Sequence, residues 1–417
     1  MLRRCGGGCN HGHVVSVSPS RYTVLMTAAA PQRTNIPVLA AAIAAIAACD
    51  IAMGLTLQLL PLIMEKKGLP AWLIGLNTAM GPLGILVAGP FIPRLVARHG
   101  ARSLGLILLG LTFLCLLLFA AVPDYRLWFP VRFMTGVAAG GFFTISEALV
   151  ISSATDQNRG RIMGLYTTVL AVTFSMGPLF VPWTGIDGWL PWIAGLVCVA
   201  LAGLPLLTLR AAPTFEGEGK GAMARVLRRA PLLFLAVGAA TLFDSVLISF
   251  FTIFGLRHGL SLAEASRILG LAIIGNAALF YPMGWLADHW SRGGVTLLTA
   301  AITVACTLAL PFVITTLWIW PLMLILTAAA FGVYVVALAM LGDTFKGPEM
   351  IAGSAAVAAM WGVGGLIGPP AAGAAIDAFG INAMPMVLAA VYGTLVVVLL
   401  ARRGQLVRPL ADAEARA

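Results

Sequence analysis

Four ionisable side chains lie inside long apolar stretches of the sequence: Asp50, Arg132, Glu147 and Asp244. A charged group is costly to hold in lipid, so inside such a stretch it usually faces a polar interior. Burial removes the hydration of an acid and thereby favours its neutral form. Such an acid can take up and release a proton as its access to water changes. The predicted chemistry is proton exchange or ion pairing within a membrane.

The elements that position these residues are predicted to be membrane-spanning helices. Of 417 residues, 60% are hydrophobic and 10% are charged, whereas a soluble domain carries about 25% charged residues. Charge-poor runs of about 20 residues can cross a bilayer, and only helices satisfy their own backbone there. We predict an all-α integral membrane protein with spans at 36–60, 71–93, 103–122, 128–152, 162–182, 189–209, 231–255, 267–287, 295–315, 318–341, 351–376 and 383–401.

The net charge of +10 lies mainly between the predicted spans, which argues against a nucleic-acid surface. With a cytoplasmic N-terminus, the cytoplasmic segments hold 20 Lys and Arg and the opposite loops hold 5. An excess of basic residues marks cytoplasmic loops. We therefore predict a multi-pass protein of the cell inner membrane with both termini in the cytoplasm.

Landmarks recur along the chain at an offset near 193 residues. Asp50 and Asp244, 194 residues apart, lie midway along the first and seventh spans. The other matched landmarks are Gly89 with Gly284, Pro130 with Pro321, Gly140 with Gly332, and Gly177-Pro178 with Gly368-Pro369. Parallel six-span repeats are a transporter architecture.

The repeat predicts two pseudo-symmetric six-helix bundles. They are expected at residues 36–209 and 231–401, joined by a charged cytoplasmic linker at 210–230. Residues 1–35 are expected to form a disordered tail, and residues 402–417 a second cytoplasmic tail.

Three stretches are similar to motifs of a known family, the major facilitator superfamily. Residues 284–292 (GWLADHWSR) resemble its signature loop, residues 132–140 (RFMTGVAAG) its fourth-helix motif, and residues 365–373 (GLIGPPAAG) its glycine-proline motif. The resemblance covers about residues 36–401 and implies the two-bundle transporter fold.

A narrower resemblance is to the YcaD-like branch of that family. It rests on Ser146-Glu147, on residues 158–161 (NRGR) leading into 164–166 (GLY), and on residues 281–285 (YPMGW). This branch does not name a substrate.

The resemblance implies that helices 1, 4, 7 and 10 line a central cavity, and that the signature loop gates its inner side. Asp288 is then expected to accept hydrogen bonds from the start of span 11, where helix N–H groups are unpaired. The alternative is a local cap. The gating set is Gly284, Asp288 and Arg292, with Arg98 and Gly100 from the first half.

The sequence departs from the family pattern in two places. Pro93 stands where the first signature loop would have its acid, and residues 99–102 (HGAR) keep only part of its basic end. Gly177-Pro178 lacks the following glycine pair of drug antiporters, which weakens an assignment to antiport.

Asp50 and Asp244 each lie about 13 residues from a cytoplasmic end, hence about 20 Å deep and near the midplane. Either acid can couple protons, pair with a cationic substrate, or simply bond to a neighbouring helix. Glu147 lies closer to the cytoplasm, where Arg159 or Arg161 could pair with it.

Arg132 is 15 residues from Glu147, so about 22 Å separates the two along one helix. Arg132 could hold substrate, displace a proton from an acid, or snorkel to the interface.

Polar and aromatic residues near these helices are candidates for lining the cavity, although each is as easily explained by packing. They are Gln58, Asn77, Asn276, Tyr334 and Trp361. The two Gly-Pro pairs, Gly177-Pro178 and Gly368-Pro369, are assigned to helix packing and bending.

Other classes of protein are disfavoured. The spans contain no histidine and no clustered cysteines, so we predict no enzyme, no metal site and no cofactor. Cys5, Cys9, His11 and His13 have a metal-like spacing in a short Gly-rich segment without a core. No phosphate-binding glycine loop is present.

We predict a monomeric, proton-coupled secondary transporter of a small solute, with export slightly favoured. The alternative is a sensor or assembly factor on the same fold.

Overall fold

The computed structural model describes residues 36–153, 158–208, 222–345 and 348–402. The predicted N-terminal tail with its Cys and His residues lies outside these ranges. Within them the chain is helical throughout, as α1 (Ile36–Lys66), α2 (Ala71–Ala88), α3 (Ile92–His99), α4 (Ala101–Ala121), α5 (Trp128–Ser153), α6 (Arg159–Thr184), α7 (Leu190–Thr208), α8 (Ala222–Arg229), α9 (Pro231–Arg257), α10 (Leu262–His289), α11 (Arg292–Val313), α12 (Ile319–Thr344), α13 (Pro348–Phe379) and α14 (Ala383–Ala401).

Eleven of the helices in the described ranges are long and apolar enough to cross a membrane. Helix α10, with 28 residues, takes the place of the eighth span between α9 and α11. Successive spans alternate in direction. We call the side where α1 begins and α14 ends the terminal face, and the opposite side the distal face. The all-helical fold predicted from composition is confirmed.

Two short helices were not predicted. The second span was expected to run to residue 93, but α2 ends at Ala88 and a turn leads into α3. Helix α3 buries Ile92 and Val96 and exposes Arg94 and Arg98. Hydropathy over a long window cannot detect so short an amphipathic helix, because its charged face cancels its apolar one. Helix α8, which lies inside the predicted linker, was not predicted for the same reason.

The matched Gly-Pro pairs occupy equivalent places in the two halves. Gly177 of α6 packs against the backbone of Gly54 and Leu55 in α1. Gly368 of α13 packs against Leu242 and Val246 in α9. Small residues let helix backbones approach closely in lipid. The internal repeat of the sequence thus corresponds to a repeated helix contact, between α6 and α1 in the first half and between α13 and α9 in the second.

Helix α2 joins the two halves. Within its own half it packs against α5, where Gly136 lies directly on the backbone of Gly81. Towards the other half it packs against α13, where Gly75 meets the backbone of Pro369 and Gly373 meets that of Ala71. A side chain at any of these glycines would separate the helices.

Gly136→Ala is expected to lower the thermal stability of the protein. Its β-carbon would collide with the Gly81 carbonyl, and overpacking of this kind costs about 1–3 kcal/mol. The matched control is Gly110→Ala in α4, where a β-carbon would meet no atom within 4 Å. Thermal unfolding in detergent should show a lower midpoint for Gly136→Ala only. Equal midpoints would contradict the packing argument.

Candidate functional site

Asp50 lies in the middle of α1 and is 3% exposed. Its Oδ2 accepts a hydrogen bond from the Thr173 hydroxyl of α6 at 3.1 Å. The close packing of Gly54 and Gly177 brings these two helices together beside the acid. Asp50 is therefore hydrogen-bonded to a neighbouring helix of its own half.

Asp244 holds the equivalent place in α9 but has different surroundings. The residue is half-buried, and within the described part of the chain no hydrogen bond to its carboxylate is found. In the same half of the molecule, the Tyr392 hydroxyl of α14 donates to the Ala330 carbonyl of α12 at 2.9 Å. The two acids of the repeat are thus not equivalent: Asp50 is buried and hydrogen-bonded, whereas Asp244 is half-buried and has no hydrogen bond to its carboxylate among the described residues.

Arg132 is 3% exposed, so it does not snorkel to the interface. Its Nη1 donates to the Thr56 carbonyl of α1 at 3.2 Å, while its buried Nη2 has no acceptor in the described residues. A buried guanidinium with an unused donor is a place where an anionic or carbonyl group could bind. The structure does not bring Arg132 into contact with Asp50 or Glu147.

Glu147 lies on α5 towards the terminal face, and the residue is exposed. Tyr166 of α6 hydrogen-bonds to Ser146, the neighbour of Glu147 in the chain, at 3.0 Å. Neither predicted arginine partner is seen with Glu147: Arg161 shows no ion pair in the described residues, and the Arg159 side chain lies outside them. Glu147 is therefore an exposed residue of α5 without an ion-pair partner among the described residues.

Tyr334 and Trp361, predicted to line the cavity, lie against each other. Their rings are 5.7 Å apart and nearly perpendicular. Phe331, which was not predicted, completes the group at 6.3 Å from Tyr334 and 6.4 Å from Trp361. All three are half-buried. We call Phe331, Tyr334 and Trp361 the aromatic cluster.

Three predicted lining residues are buried instead. Gln58 is 1%, Asn77 1% and Asn276 4% exposed. The Gln58 amide nitrogen donates to the hydroxyls of Thr252 at 3.1 Å and Ser266 at 2.7 Å, in α9 and α10. Gln58 therefore ties the halves together and does not line an open cavity in this conformation. Asn77 Nδ2 and Asn276 Oδ1 are buried without a partner in the described residues.

The distal face is closed by contacts that sequence reasoning missed. The Asp377 carboxylate at the end of α13 accepts from the backbone N–H groups of Ala71 and Trp72, each at 2.8 Å. These N–H groups open α2 and have no intrahelical acceptor. The cap therefore joins the start of a helix in one half to the end of a helix in the other.

A bidentate ion pair strengthens the same face. Arg257 Nε lies 2.7 Å from Glu65 Oε1, and Arg257 Nη2 lies 3.0 Å from Glu65 Oε2. Glu65 ends α1 and Arg257 ends α9, so this pair also spans the two halves. The internal repeat of the sequence could have indicated this pair. Helices α1 and α9 are matched in the repeat, so their last residues lie at the same face of the membrane.

The predicted gate at the terminal face is only partly described. Asp288 and Gly284 lie on α10, but the surroundings of their side chains fall outside the described residues. Arg292 Nη1 lies 2.5 Å from Asp343 Oδ2 at the end of α12, a contact within one half. In the first half, Arg98 is exposed, and Gly100 has a φ of +79° where α3 turns into α4.

Exchanging the charges of the Glu65–Arg257 pair tests its role. Glu65→Arg is expected to weaken closure of the distal face about two- to five-fold, the range for a partly exposed pair. The double variant Glu65→Arg/Arg257→Glu should restore closure. Distances between spin labels at the distal loops would report both. A double variant as open as the single one would mean that the pair does not hold the halves.

Comparison with known proteins agrees with this geometry. The sequence profile of the Major Facilitator Superfamily matches residues 41–339. The MFS-type transporter YcaD of Salmonella heidelberg (strain SL476) is 28% identical over 381 residues, which cover 87% of this chain and 94% of that protein. YcaD of Salmonella paratyphi B (strain ATCC BAA-1250 / SPB7) is 25% identical over 376 residues, with the same coverage.

Two solved structures share the fold. A bacterial homologue of the human lysosomal transporter Spinster, inward-facing and unoccupied, superposes with a TM-score of 0.70 at 17% identity, covering 87% of this chain and 94% of that one. The nucleoside transporter NupG superposes with a TM-score of 0.72 at 14% identity, covering 90% and 100%. The chain is a member of the Major Facilitator Superfamily, a multi-pass membrane transporter that resembles YcaD.

Proposed function

We propose that this transporter is proton-coupled and moves a small solute by alternating access in the cell inner membrane. The observation that carries the proposal is Asp50, a buried carboxyl at mid-depth of α1 whose one described partner is the Thr173 hydroxyl. A carboxyl can hold or release a proton, and its access to water decides with which side of the membrane it exchanges that proton. A change of access can therefore load and unload a proton at this site.

Contacts at the distal face support the alternating part of the proposal. The Asp377 cap and the Glu65–Arg257 pair are polar and lie at the surface. Water can replace such contacts at low cost, unlike the buried apolar packing of a permanent interface. With the termini in the cytoplasm, this conformation is closed to the outside.

The test is solute flux in liposomes that contain the purified protein. The solutes would represent sugars, nucleosides, amino acids, organic anions and organic cations. At least one should move faster with an imposed pH gradient, and a protonophore should abolish the difference. The direction of the gradient that accelerates uptake distinguishes symport from antiport. Flux indifferent to the gradient would contradict proton coupling, and no flux of any solute would favour the sensor alternative.

A further inference from the structure

Arg132 is a buried cation for which the described residues supply no carboxylate partner. Arg257, by contrast, pairs with Glu65 through two nitrogens. The acceptor found for Arg132 is the neutral carbonyl of Thr56, and its buried Nη2 has no acceptor in the described part of the chain. A buried charge without a partner is costly, because nothing compensates its lost hydration. An anion that accepted from Nη2 would remove this cost.

The guanidinium is held where three helices of the first half meet. One turn further along α5, Gly136 lies directly on the backbone of Gly81 in α2. Gly81 leaves room for the Arg132 side chain, since a β-carbon there would stand 3.8 Å from Nε. The bond to Thr56 adds a contact with α1. A donor positioned in advance loses little entropy when a ligand binds.

A second unused donor lies on the same face of α2. Asn77 is four residues before Gly81, and residues at that spacing are neighbours on a helix surface, about 5–6 Å apart. Asn77 is buried, and its Nδ2 has no acceptor among the described residues. Buried polar groups nearly always have a hydrogen-bond partner. Two such donors beside one another, one of them charged, indicate a site for a negatively charged acceptor.

Both donors lie just beneath the closed distal face. Arg132 is four residues from the start of α5 and Asn77 is six residues from the start of α2, hence about 6 and 9 Å deep. Asp377 caps the first residues of the same helix α2. Binding at Asn77 and closure of the distal face therefore act on one helix.

We propose that the transported solute is an organic monocarboxylate, whose carboxylate accepts hydrogen bonds from Arg132 and Asn77. This inference rests on the proposed transport function and names its substrate class. A carboxylate has two oxygens, one for each donor, and its single charge matches the single guanidinium. A doubly charged phosphate would keep one charge uncompensated. Hydrogen bonds between a guanidinium and a carboxylate are about twice as strong as neutral ones.

The test is thermal stabilisation of the full-length protein in detergent by five carboxylates, each compared with its neutral primary amide. The probes are benzoate, phenylacetate, hexanoate, lactate and pyruvate, and sodium nitrate keeps the ionic strength equal. At least one carboxylate should raise the melting midpoint in a saturable manner, and its amide should not. The proposal would be overturned if no carboxylate stabilised the protein, or if the amides or nitrate alone did so equally.

Variants then locate the site. Arg132→Gln and Asn77→Asp should each weaken binding of the stabilising carboxylate at least about ten-fold, as expected when a hydrogen bond to a charged group is lost. Arg132→Lys keeps the charge without the planar fork of donors and should retain part of the affinity. The matched control is Arg229→Gln at the terminal face, where the guanidinium pairs with Glu349 at 2.8 Å.

Asn77→Asp also separates a binding role from a packing role. Aspartate has nearly the size of asparagine, but its carboxylate would pair with Arg132 and exclude the solute. The melting midpoint of the ligand-free variant should rise while carboxylate binding is lost, and this variant keeps the test decisive where Arg132→Gln fails to fold. Wild-type carboxylate affinity in a folded Asn77→Asp protein would overturn the assignment.

The outcomes separate this inference from the proposed function. Proton-driven flux of a neutral or cationic solute, without stabilisation by any carboxylate, would overturn the substrate class and leave proton-coupled transport intact. Carboxylate binding that depends on Arg132, without flux of any solute, would retain the site and overturn transport.

Discussion

Asp50→Asn is expected to abolish accumulation driven by a pH gradient while leaving solute exchange in place. Asparagine has nearly the same shape and its oxygen can still accept from Thr173, but it cannot carry a proton. Alternation between the two faces does not itself need the proton, so exchange of labelled for unlabelled solute should continue. At equal protein content, the amount of accumulated solute should fall at least about ten-fold. A ten-fold loss corresponds to about 1.4 kcal/mol of coupling free energy between the proton and the solute.

The control for this prediction is Asp124→Asn. Asp124 lies in the loop before α5 and accepts from the Arg126 backbone at 2.9 Å, on the exposed surface. Its loss should leave both exchange and accumulation near wild type. The measurement is uptake into liposomes of the solute found in the flux screen. Accumulation by Asp50→Asn at the wild-type level would remove this acid from the coupling mechanism.

Asp377→Ala is expected to open the distal face. A lost helix cap costs about 0.5–2 kcal/mol, and here the whole cost falls on the closed conformation because the cap joins the two halves. The open population should therefore rise between about two-fold and thirty-fold. Hydrogen exchange at the start of α2 should accelerate, since Ala71 and Trp72 lose their acceptors.

The control for Asp377 is its counterpart in the repeat. Asp187 lies 190 residues earlier, but its carboxylate pairs with the exposed Lys66 of the same half. Asp187→Ala should therefore leave hydrogen exchange in α2 unchanged. Spin labels at Trp189 and Leu317, both exposed in distal loops, would give the distance between the halves once the native cysteines are replaced by alanine. Identical distance distributions for Asp377→Ala and wild type would show that the cap does not control opening.

Positions of the spans were predictable because the signal for them is local. A membrane helix needs an apolar run of fixed length, and charges must lie outside it. The predicted start of α5 at residue 128 and the predicted bounds of the last span match the structure. Gly177 and Gly368 were predictable as packing residues because close backbone contacts demand the absence of a side chain.

Partners of the polar residues were not predictable in the same way. Gln58 was expected in the cavity because it shares a face of α1 with Asp50. In the folded protein its amide nitrogen instead donates to the hydroxyls of Thr252 and Ser266, which belong to the other half. Asp377 was overlooked because an acid at the end of an apolar helix is ordinary. Only the closeness of α13 to the start of α2 makes it a cap.

The sequence by itself determined that this chain is a helical membrane protein with a repeated plan, and that Asp50 and Asp244 lie at matched depths. These properties depend on composition and spacing along one chain. Only the tertiary structure decided that Asp50 is bonded to Thr173, that Tyr334 packs against Trp361, and that Asp377 caps the start of α2 at the distal face. The physical reason is that the hydropathy of the sequence specifies which segments form membrane-spanning helices. The rotation of each helix and its contacts with other helices depend on the steric fit of many side chains at once.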